Sequence, residues 1–577
     1  MKYILLIFTL LSAVSLSAQT KSDYEELTDT KPHDGEQVWS KLPETPQISW
    51  GSVYTRYAKN NVPTLTPAKT FKTNAWRGER VNVQAVIWSK TALRDLRITA
   101  DNLVKGTAVI SADNISPSFV RYVMTDELNK DGKGACGHRA DKSQWDSSMV
   151  ADLLYKPELK DVKACTAQPL WLTVKIPPDA MPGVYKGAVT VKGTGFKDLR
   201  LMLEVKVSEH VLPSAEEWAF HLDLWQNPYS VARYYDVPLW SDAHFEAMRP
   251  VMKRLADAGQ KVITATIMHK PWNGQTEDYF SSMVAKIKRP DGSWQYDYTV
   301  FDRWVEFMMS VGINRQINCY TLIPWALKFD YYDLATNSIQ FIESKPGDAE
   351  YAAYWGAFLK DFAQHLRSKG WFDRTTIAMD ERGLDAMREA IKVIRNADPA
   401  YKISLAGSYH EEIEADLYDY CIGFGNNYPP EIKSARLKAH KISTYYTCCA
   451  EPRPNTFTFS PLAEATWLGW HAAAGNYDGY LRWAYNSWTS DPLRDTRFRT
   501  WAAGDCYLVY PEYSSMRMEL LTEGIQDYEK IRILRSKLSP TRLKALEAAV
   551  NLFKSDNINS HDAAKNVEAA RKILNAL

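Results

Sequence analysis

One short stretch organises this 577-residue chain: Thr375-Thr376-Ile377-Ala378-Met379-Asp380-Glu381-Arg382. It is an apolar run of strand length, β-branched at its start, that ends in two adjacent carboxylates and a cation. Helix-period segments lie on both sides of it, which is typical of a βα-repeat protein with a parallel sheet. Chemistry in such folds gathers on the loops that follow the strands. Neighbouring residues on a regular strand point to opposite faces, so Asp380 and Glu381 can share a pocket only beyond the strand's last regular residue.

Two carboxylates at the end of a strand indicate acid/base chemistry, because hydrolysis of a glycosidic bond needs a proton donor and a second negative group nearby. Like charges resist ionising together, so we expect the pKa values of the two groups to differ. The alternative is structural, since ion pairs often mimic functional sites: Asp380 would cap the next helix and Glu381 would pair with Arg382 at the surface. This stretch alone does not separate the two interpretations.

The N-terminus has the pattern of a secretory signal peptide over residues 1–18: Lys2, an apolar run over 3–14, and small residues up to Ala18. The apolar run is too short to be kept as a membrane span, and no later segment has about 18 uninterrupted apolar residues. We therefore expect an exported protein, periplasmic or secreted, with no membrane span. Residues 19–47 are then an N-terminal linker.

The composition argues against several partners. Lysine plus arginine (70) nearly balance aspartate plus glutamate (69), which disfavours a nucleic acid or an anionic membrane. Seven cysteines in an exported chain suggest disulfides, and Cys136 with Cys165 is the first pair to expect because both flank one loop-like segment. The chain has no C-x-x-C motif, and the vicinal pair Cys448-Cys449 suits zinc poorly. We expect no metal and no cofactor.

Residues 48–212 are predicted to form a β-sandwich domain. Apolar residues alternate with polar ones in several short segments, of which the clearest has Val81, Val83, Ala85 and Ile87 on one face. Turn signals such as Pro177-Pro178-Asp179 separate the segments. Several short strands with this punctuation are typical of two packed sheets.

From residue 213 the pattern changes to strands that alternate with helices. The sequence offers eight strand candidates: 220–225, 261–268, 316–323, Thr375–Met379, 402–406, 420–424, 441–446 and 479–483. Eight such units predict a (β/α)8 barrel. The fold class is therefore multidomain β plus α/β, with the N-terminal β-sandwich followed by a TIM barrel over 213–535. A C-terminal helical segment over 536–577 is expected to pack on that barrel.

Each predicted barrel strand ends in polar or aromatic residues that would line one mouth. A sugar pocket requires such a ring, with flat faces for stacking and forked groups for hydroxyls. The candidate substrate-binding residues are Trp225, His269, Tyr320, Tyr446, Arg482, Trp483, Asn486 and Trp488. Structural roles remain open for several of these residues. His269 could be an ordinary loop histidine, Arg482 could neutralise a barrel carboxylate, and most tryptophans could be core residues. Eight consistent strand ends favour the enzyme interpretation of Asp380 and Glu381.

Five segments carry a resemblance to a known family: Leu224-Trp225-Gln226-Asn227-Pro228, Ile377-Ala378-Met379-Asp380-Glu381-Arg382, Thr444-Tyr445-Tyr446-Thr447-Cys448-Cys449, Asp478-Gly479-Tyr480-Leu481-Arg482-Trp483 with Asn486-Ser487-Trp488, and Glu523-Gly524-Ile525-Gln526-Asp527. They resemble glycoside hydrolase family 123, which comprises secreted bacterial β-N-acetylgalactosaminidases with a β-sandwich before a (β/α)8 barrel. The resemblance implies retaining, substrate-assisted hydrolysis through an oxazolinium intermediate, with Asp380 and Glu381 as the catalytic pair. The implied partner is a glycolipid or glycoprotein oligosaccharide that ends in N-acetylgalactosamine.

In that mechanism the substrate's own 2-acetamido oxygen attacks the anomeric carbon, so the protein supplies no nucleophile. Asp380 would hold the acetamido N–H and stabilise the developing positive charge. Glu381 would protonate the leaving oxygen and then deprotonate water, while Tyr446 would aim the acetamido oxygen. Two alternatives stay open. One is a hexosaminidase that prefers N-acetylglucosamine, and the other is a non-catalytic glycan-binding surface protein, which an intact carboxylate pair disfavours.

Overall fold

The computed structural model describes residues 25–31, 33–126, 147–558 and 563–577. The predicted signal peptide over 1–18 lies outside the described residues, and so does Cys136. An N-terminal β-rich domain precedes a nearly closed barrel of eight parallel strands, which confirms the predicted fold class. Of the helices in the described ranges, none is both long and apolar enough to cross a membrane.

The N-terminal domain consists of two sheets. Its strands are β1 (Gln47–Gly51), β2 (Thr70–Arg77), β3 (Arg80–Ser89), β4 (Leu93–Ala100), β5 (Leu103–Lys105), β6 (Ala108–Ile110), β7 (Ile115–Thr125), β8 (Ser148–Leu154), β9 (Glu158–Val162), β10 (Thr166–Lys175), β11 (Gly183–Thr194) and β12 (Leu199–Val211). One sheet has the order β2-β12-β11-β4-β9, and the other contains β1-β3-β10-β7-β8. In β12 the residues Leu201, Leu203 and Val205 are buried while their neighbours are more exposed. This period-two burial is what a strand over a core requires.

Cys165 stands just before β10 as a free thiol, and its sulfur lies 3.8 Å from the carbonyl oxygen of Lys90. The predicted Cys136–Cys165 disulfide is therefore wrong. Two cysteines that flank one loop-like segment in the sequence need not bring their sulfur atoms together, because a disulfide requires a specific separation and direction of both side chains.

The second part of the chain contains strands β13 (His221–Leu224), β14 (Val262–Thr266), β15 (Ala285–Lys288), β16 (Trp294–Asp297), β17 (Gln316–Tyr320), β18 (Lys328–Asp333), β19 (Ser338–Glu343), β20 (Thr375–Met379), β21 (Lys402–Gly407), β22 (Asp419–Gly423), β23 (Ile442–Tyr446), β24 (Gly479–Arg482) and β25 (Ser514–Ser515). Eight of them form the parallel sheet β13-β24-β23-β22-β21-β20-β17-β14. A bridge between Leu222 and Gln260 brings its two edges together. All eight overlap the predicted barrel strands.

The helices are α1 (Glu36–Trp39), α2 (Pro228–Tyr235), α3 (Asp242–Ala256), α4 (Thr299–Ser310), α5 (Ala349–Ser368), α6 (Leu384–Ala397), α7 (Glu411–Glu414), α8 (Pro430–Lys438), α9 (Ala463–Gly475), α10 (Met516–Arg535), α11 (Pro540–Val550) and α12 (Ala563–Leu574). Helix α5 buries Trp355, Phe358, Leu359, Phe362 and Leu366 on one face, because these residues recur with the helical period. Helices α11 and α12 pack against α9.

The structure also contains a four-stranded sheet in the order β16-β15-β18-β19, which the sequence pattern does not predict. It is assembled from loops that follow the barrel strands β14 and β17. Its strands are only four to six residues long, and short strands among turn residues give a weak periodic signal. The sheet stands beside the carboxyl ends of the barrel strands, the edge at which barrels carry their sites.

Buried ion pairs join the two parts of the chain. Asp152 of β8 accepts a hydrogen bond from Nε of Arg517 in α10 at 2.9 Å, and Glu79, between β2 and β3, pairs with Lys530 of the same helix. Strand β25, which precedes α10, pairs with β8 and so extends a sheet of the N-terminal domain. Helix α10 is therefore shared by both cores.

Candidate active site

Strand β20 places the two carboxylates. It is buried throughout and ends at Met379, so Asp380 and Glu381 follow its last regular residue. Asp380 is partly buried, and its Oδ2 accepts a hydrogen bond from Nε1 of Trp272 at 2.9 Å. Its Oδ1 accepts the backbone N–H of Glu381 at 2.8 Å. The side chain of Glu381 is exposed. One carboxylate is thus fixed inside the pocket and the other stands at its opening.

The structural alternative for this pair does not describe the local geometry. Helix α6 begins after Gly383, which caps it without a side-chain hydrogen bond, so Asp380 is not a helix cap. Arg382 donates to the backbone oxygens of Ile323 at 2.9 Å and Glu381 at 3.0 Å. The guanidinium therefore organises the backbone around the pair.

The surroundings of Asp380 disfavour its ionised form. Burial raises the pKa of the Asp380 carboxyl to about 6, and the negative charge of Glu381 adds to the increase. The hydrogen bonds from Glu381 N–H and Trp272, with the charge of Arg382, act in the opposite direction. The group therefore titrates close to neutrality, far above an ordinary aspartate.

Tyr446 is the last residue of β23, and its hydroxyl donates a hydrogen bond to Oε1 of Glu381. Burial raises the pKa of Tyr446, with a further contribution from the charge of Glu381, so the phenol stays protonated and acts as a donor. From the sequence, this hydroxyl is expected to bind the acetamido oxygen of a substrate. In this structure it orients Glu381.

The carboxylates lie in a cavity of about 320 Å³ with tryptophans on its walls. Trp225 and Trp272 stack with their ring centroids 5.0 Å apart. Tyr320 contacts both rings, at 4.5 Å from Trp225 and 5.3 Å from Trp272. Trp225 and Trp272 are almost fully buried, so they form a rigid apolar floor beside Asp380. Flat aromatic faces beside carboxylates suit the apolar and polar sides of a sugar ring.

Three of the eight predicted substrate-binding residues line this cavity: Trp225, Tyr446 and Trp483. A fourth, Tyr320, lies against the floor. Trp483 follows β24 directly, and its Nε1 lies 3.2 Å from Asp505.

The other four lie elsewhere. His269 lines a separate cavity of about 300 Å³ beside the four-stranded sheet. Arg482 is fully buried and pairs with Asp505 at 2.6 Å. Asn486 exchanges hydrogen bonds with the backbone of Asn227, at 2.9 Å and 2.8 Å. The indole nitrogen of Trp488 donates to the oxygen of Val509 at 2.8 Å inside the core.

The alternation of side chains along β24 explains the position of Arg482. Leu481 and Trp483 line the cavity, while Arg482 between them points away from it, because successive strand residues face opposite sides. Knowing where a strand ends does not reveal which of its last residues faces the mouth.

Several cavity residues are absent from the predicted set: Trp272, Gln275, Trp325, Cys448, Cys449, Glu451 and Trp501. Trp272 and Trp325 follow predicted strands two and three, so the rule of polar or aromatic strand ends could have found them. Glu451 and Trp501 come from long loops after β23 and β24, and no local pattern singles them out. Glu451 accepts the backbone N–H of Cys448 at 2.7 Å, and burial raises its pKa.

A barrel whose carboxylate pair and tryptophans share one pocket at the strand ends has the build of a glycoside hydrolase. The family model described as the glycoside hydrolase 123 catalytic domain matches residues 225–534, more than half of the chain. The model of the glycoside hydrolase 123 N-terminal domain matches residues 50–193. The chain belongs to glycoside hydrolase family 123.

One solved structure agrees with this assignment. A family 123 glycoside hydrolase from Clostridium perfringens superposes with a TM-score of 0.83 at 26% identity. The structural analysis of that enzyme concerns glycolipid glycan hydrolysis. The match covers 92% of this chain and 97% of that one. A Bacteroides ovatus GH5 xyloglucanase matches over 83% of this chain and 100% of its own, but at 10% identity and a TM-score of 0.30, which supports no inference. No curated protein sequence matches the chain.

Proposed function

We propose that this glycoside hydrolase is a retaining, exo-acting β-N-acetylgalactosaminidase that uses the substrate's acetamido group as its nucleophile. The observation that carries the proposal is the adjacent pair Asp380 and Glu381, of which one is held inside the pocket by two donors and the other stands at its opening with the Tyr446 hydroxyl as its donor. Membership of family 123 and the glycolipid glycan studied with the Clostridium perfringens enzyme support a glycolipid or glycoprotein oligosaccharide as the substrate.

Asp380 holds the acetamido group. Two donors already fix its carboxylate, the indole of Trp272 and the backbone N–H of Glu381, and a carboxylate has further acceptor sites for an acetamido N–H. With its pKa at about 6, the group is mostly ionised at pH 7. Its negative charge then faces the oxazolinium as that cation forms, in a site where burial strengthens electrostatic stabilisation.

Glu381 moves the protons. Its side chain stands at the opening, where the glycosidic oxygen of a terminal sugar emerges from the pocket. It donates a proton to the leaving oxygen and then takes one from the incoming water. The hydroxyl of Tyr446 limits the rotation of this carboxyl, which lowers the entropy lost on reaching the reactive geometry.

The test compares three nitrophenyl glycosides with the same leaving group: N-acetyl-β-galactosaminide, N-acetyl-β-glucosaminide and β-galactoside. We expect rapid hydrolysis of the first, slower hydrolysis of the second, which differs at C4, and little or none of the third, which lacks the acetamido group. Comparable rates on the first and third would rule out acetamido participation. A preference for the second would make the enzyme an N-acetylglucosaminidase. The Asp380→Ala, Glu381→Ala double variant controls for contaminating glycosidases.

We also propose that the chain is exported, since residues 1–18 have the pattern of a signal peptide. N-terminal sequencing of the protein from cells should then begin near residue 19. A mature protein that keeps Met1 would contradict export by cleavage.

A further inference from the structure

Trp325 is an exposed tryptophan at the opening of the active-site cavity. It lies in the loop after β17, beside the neighbouring strand β20, and 44% of its surface is accessible. The guanidinium of Arg382 stacks on its ring, with the carbon Cζ 3.6 Å from the ring centroid. The backbone N–H of Trp325 also donates to the oxygen of Pro271 at 3.2 Å. A large aromatic ring is thus held rigidly in contact with solvent.

Arg382 supports this ring from a fixed position. Its donors bind the carbonyl oxygens of Ile323 and Glu381, so the guanidinium is tied both to the loop that carries Trp325 and to the backbone of the proposed acid. One face of the indole packs on this cation. The accessible surface of the ring belongs to a rigid platform, since both the ring and its support have defined partners.

The residues that line the cavity differ in exposure between its floor and its opening. Trp225 and Trp272 on the floor are 4% and 7% exposed, Asp380 beside them is partly buried, and Glu381 with Trp325 is exposed. The glycosidic oxygen must lie at Glu381 when the proton is transferred. The terminal sugar then occupies the floor, and whatever is attached to that oxygen lies on the outer side, where Trp325 stands.

We propose that Trp325, backed by Arg382, is the stacking platform for the sugar ring of the leaving group. This inference rests on the proposed function and deepens it, because it assigns the recognition of the leaving sugar, a hexopyranose with an apolar face of C–H groups, to one side chain. A rigid aromatic anchor buries that face with little loss of side-chain freedom. The enzyme then distinguishes a terminal sugar attached to another sugar from one attached to a small alcohol.

The test uses two unactivated substrates whose leaving groups need similar protonation. One is methyl N-acetyl-β-galactosaminide, and the other is the same sugar β-linked to galactose, as the 1→3 and 1→4 disaccharides. The readout is the ratio of kcat/KM for the disaccharide to kcat/KM for the methyl glycoside. The variants are Trp325→Ala and Trp325→Tyr. Phe341→Ala is the matched control, because Phe341 is 45% exposed on β19 and does not line the active-site cavity.

We expect Trp325→Ala to lower this ratio about tenfold, Trp325→Tyr to keep most of it, and Phe341→Ala to leave it unchanged. If Trp325→Ala leaves this ratio unchanged, even while both rates fall, the proposed stacking platform is wrong. Trp325 would then only support Arg382. If the unaltered enzyme hydrolyses neither the methyl glycoside nor the disaccharides, the proposed function itself is wrong and the platform falls with it.

Discussion

Asp380 and Glu381 are adjacent in the chain but have different surroundings, and their variants should therefore fail differently. Glu381→Gln removes the proposed proton donor and should lower the rate about 100- to 10,000-fold. This loss should shrink with a nitrophenol leaving group, which needs little protonation. In the proposed mechanism Asp380→Asn removes the charge that faces the oxazolinium, so its defect should persist with every leaving group. Steady-state kinetics of both variants on an activated and an unactivated substrate decide this. The opposite pattern would mean that the two roles are reversed.

The pKa of Asp380 also predicts how kcat/KM falls on the acid side of its pH profile. In the proposed mechanism only the ionised form of Asp380 stabilises the oxazolinium, and its pKa is about 6. We expect kcat/KM to fall as the pH drops through about 6, with an apparent pKa near that value. The residual activity of Asp380→Asn should lack this limb, because the amide does not titrate. An enzyme that keeps full activity at pH 5 would contradict the role of Asp380.

The ionised carboxylate of Asp380 should destabilise the folded protein at neutral pH. The pKa of Asp380 is higher in the folded state than the ordinary 3.8, so ionisation favours unfolding as the pH rises from about 4 to 6. When the pH is lowered from 8 to 5, the free energy of unfolding of the unaltered enzyme should therefore rise by about 1 kcal/mol relative to that of Asp380→Asn. Denaturant unfolding of both proteins at these two pH values measures the difference. An unchanged difference would mean that the carboxyl is not buried in solution.

Helix α12 contributes one cation to a buried acidic cluster on α10. Arg571 lies 2.7 Å from Oε1 of Glu523 and 2.9 Å from Oδ2 of Asp527, and both carboxylates are almost fully buried. Removing one partner of a buried ion pair leaves an uncompensated charge. Arg571→Met should lower the free energy of unfolding at pH 7 by about 3 kcal/mol.

This deficit has a predicted pH dependence. Burial raises the pKa of Glu523, and the charge of Arg571 acts against that increase. Without Arg571 the carboxyl should protonate at a higher pH, so the deficit of Arg571→Met should shrink as the pH falls towards 5. Lys572→Met is the matched control, since Lys572 is exposed on the same helix. Equal effects of the two variants would exclude a specific contribution from the cluster.

The N-terminal domain should be needed for the barrel to fold, although it does not line the active-site cavity in the described residues. Arg517 and Lys530 of helix α10 form ion pairs with Asp152 and Glu79 of the N-terminal domain, respectively. A barrel expressed from residue 213 onward would keep these two cations without their partners and expose an apolar face. We expect it to be insoluble or inactive, as measured by expression yield and hydrolysis. A soluble, fully active barrel would refute the packing role.

The sequence determines the class of fold and the position of the proposed catalytic pair. Eight apolar runs of strand length, separated by helix-period segments, predict the barrel because local periodicity records which face each element buries. Asp380 and Glu381 could be located because a strand end is a local feature, and every strand of a parallel barrel delivers its end to the same mouth.

Only the tertiary structure decides which other side chains share that mouth. Arg482 and Trp483 are neighbours at the end of β24 and both contact Asp505, yet Arg482 is fully buried and only Trp483 lines the cavity. Glu451 and Trp501 reach the cavity from long loops. The direction of a strand's last side chain depends on its register in the sheet, and the path of a long loop depends on contacts with residues far away in the chain. Neither leaves a periodic trace in the sequence.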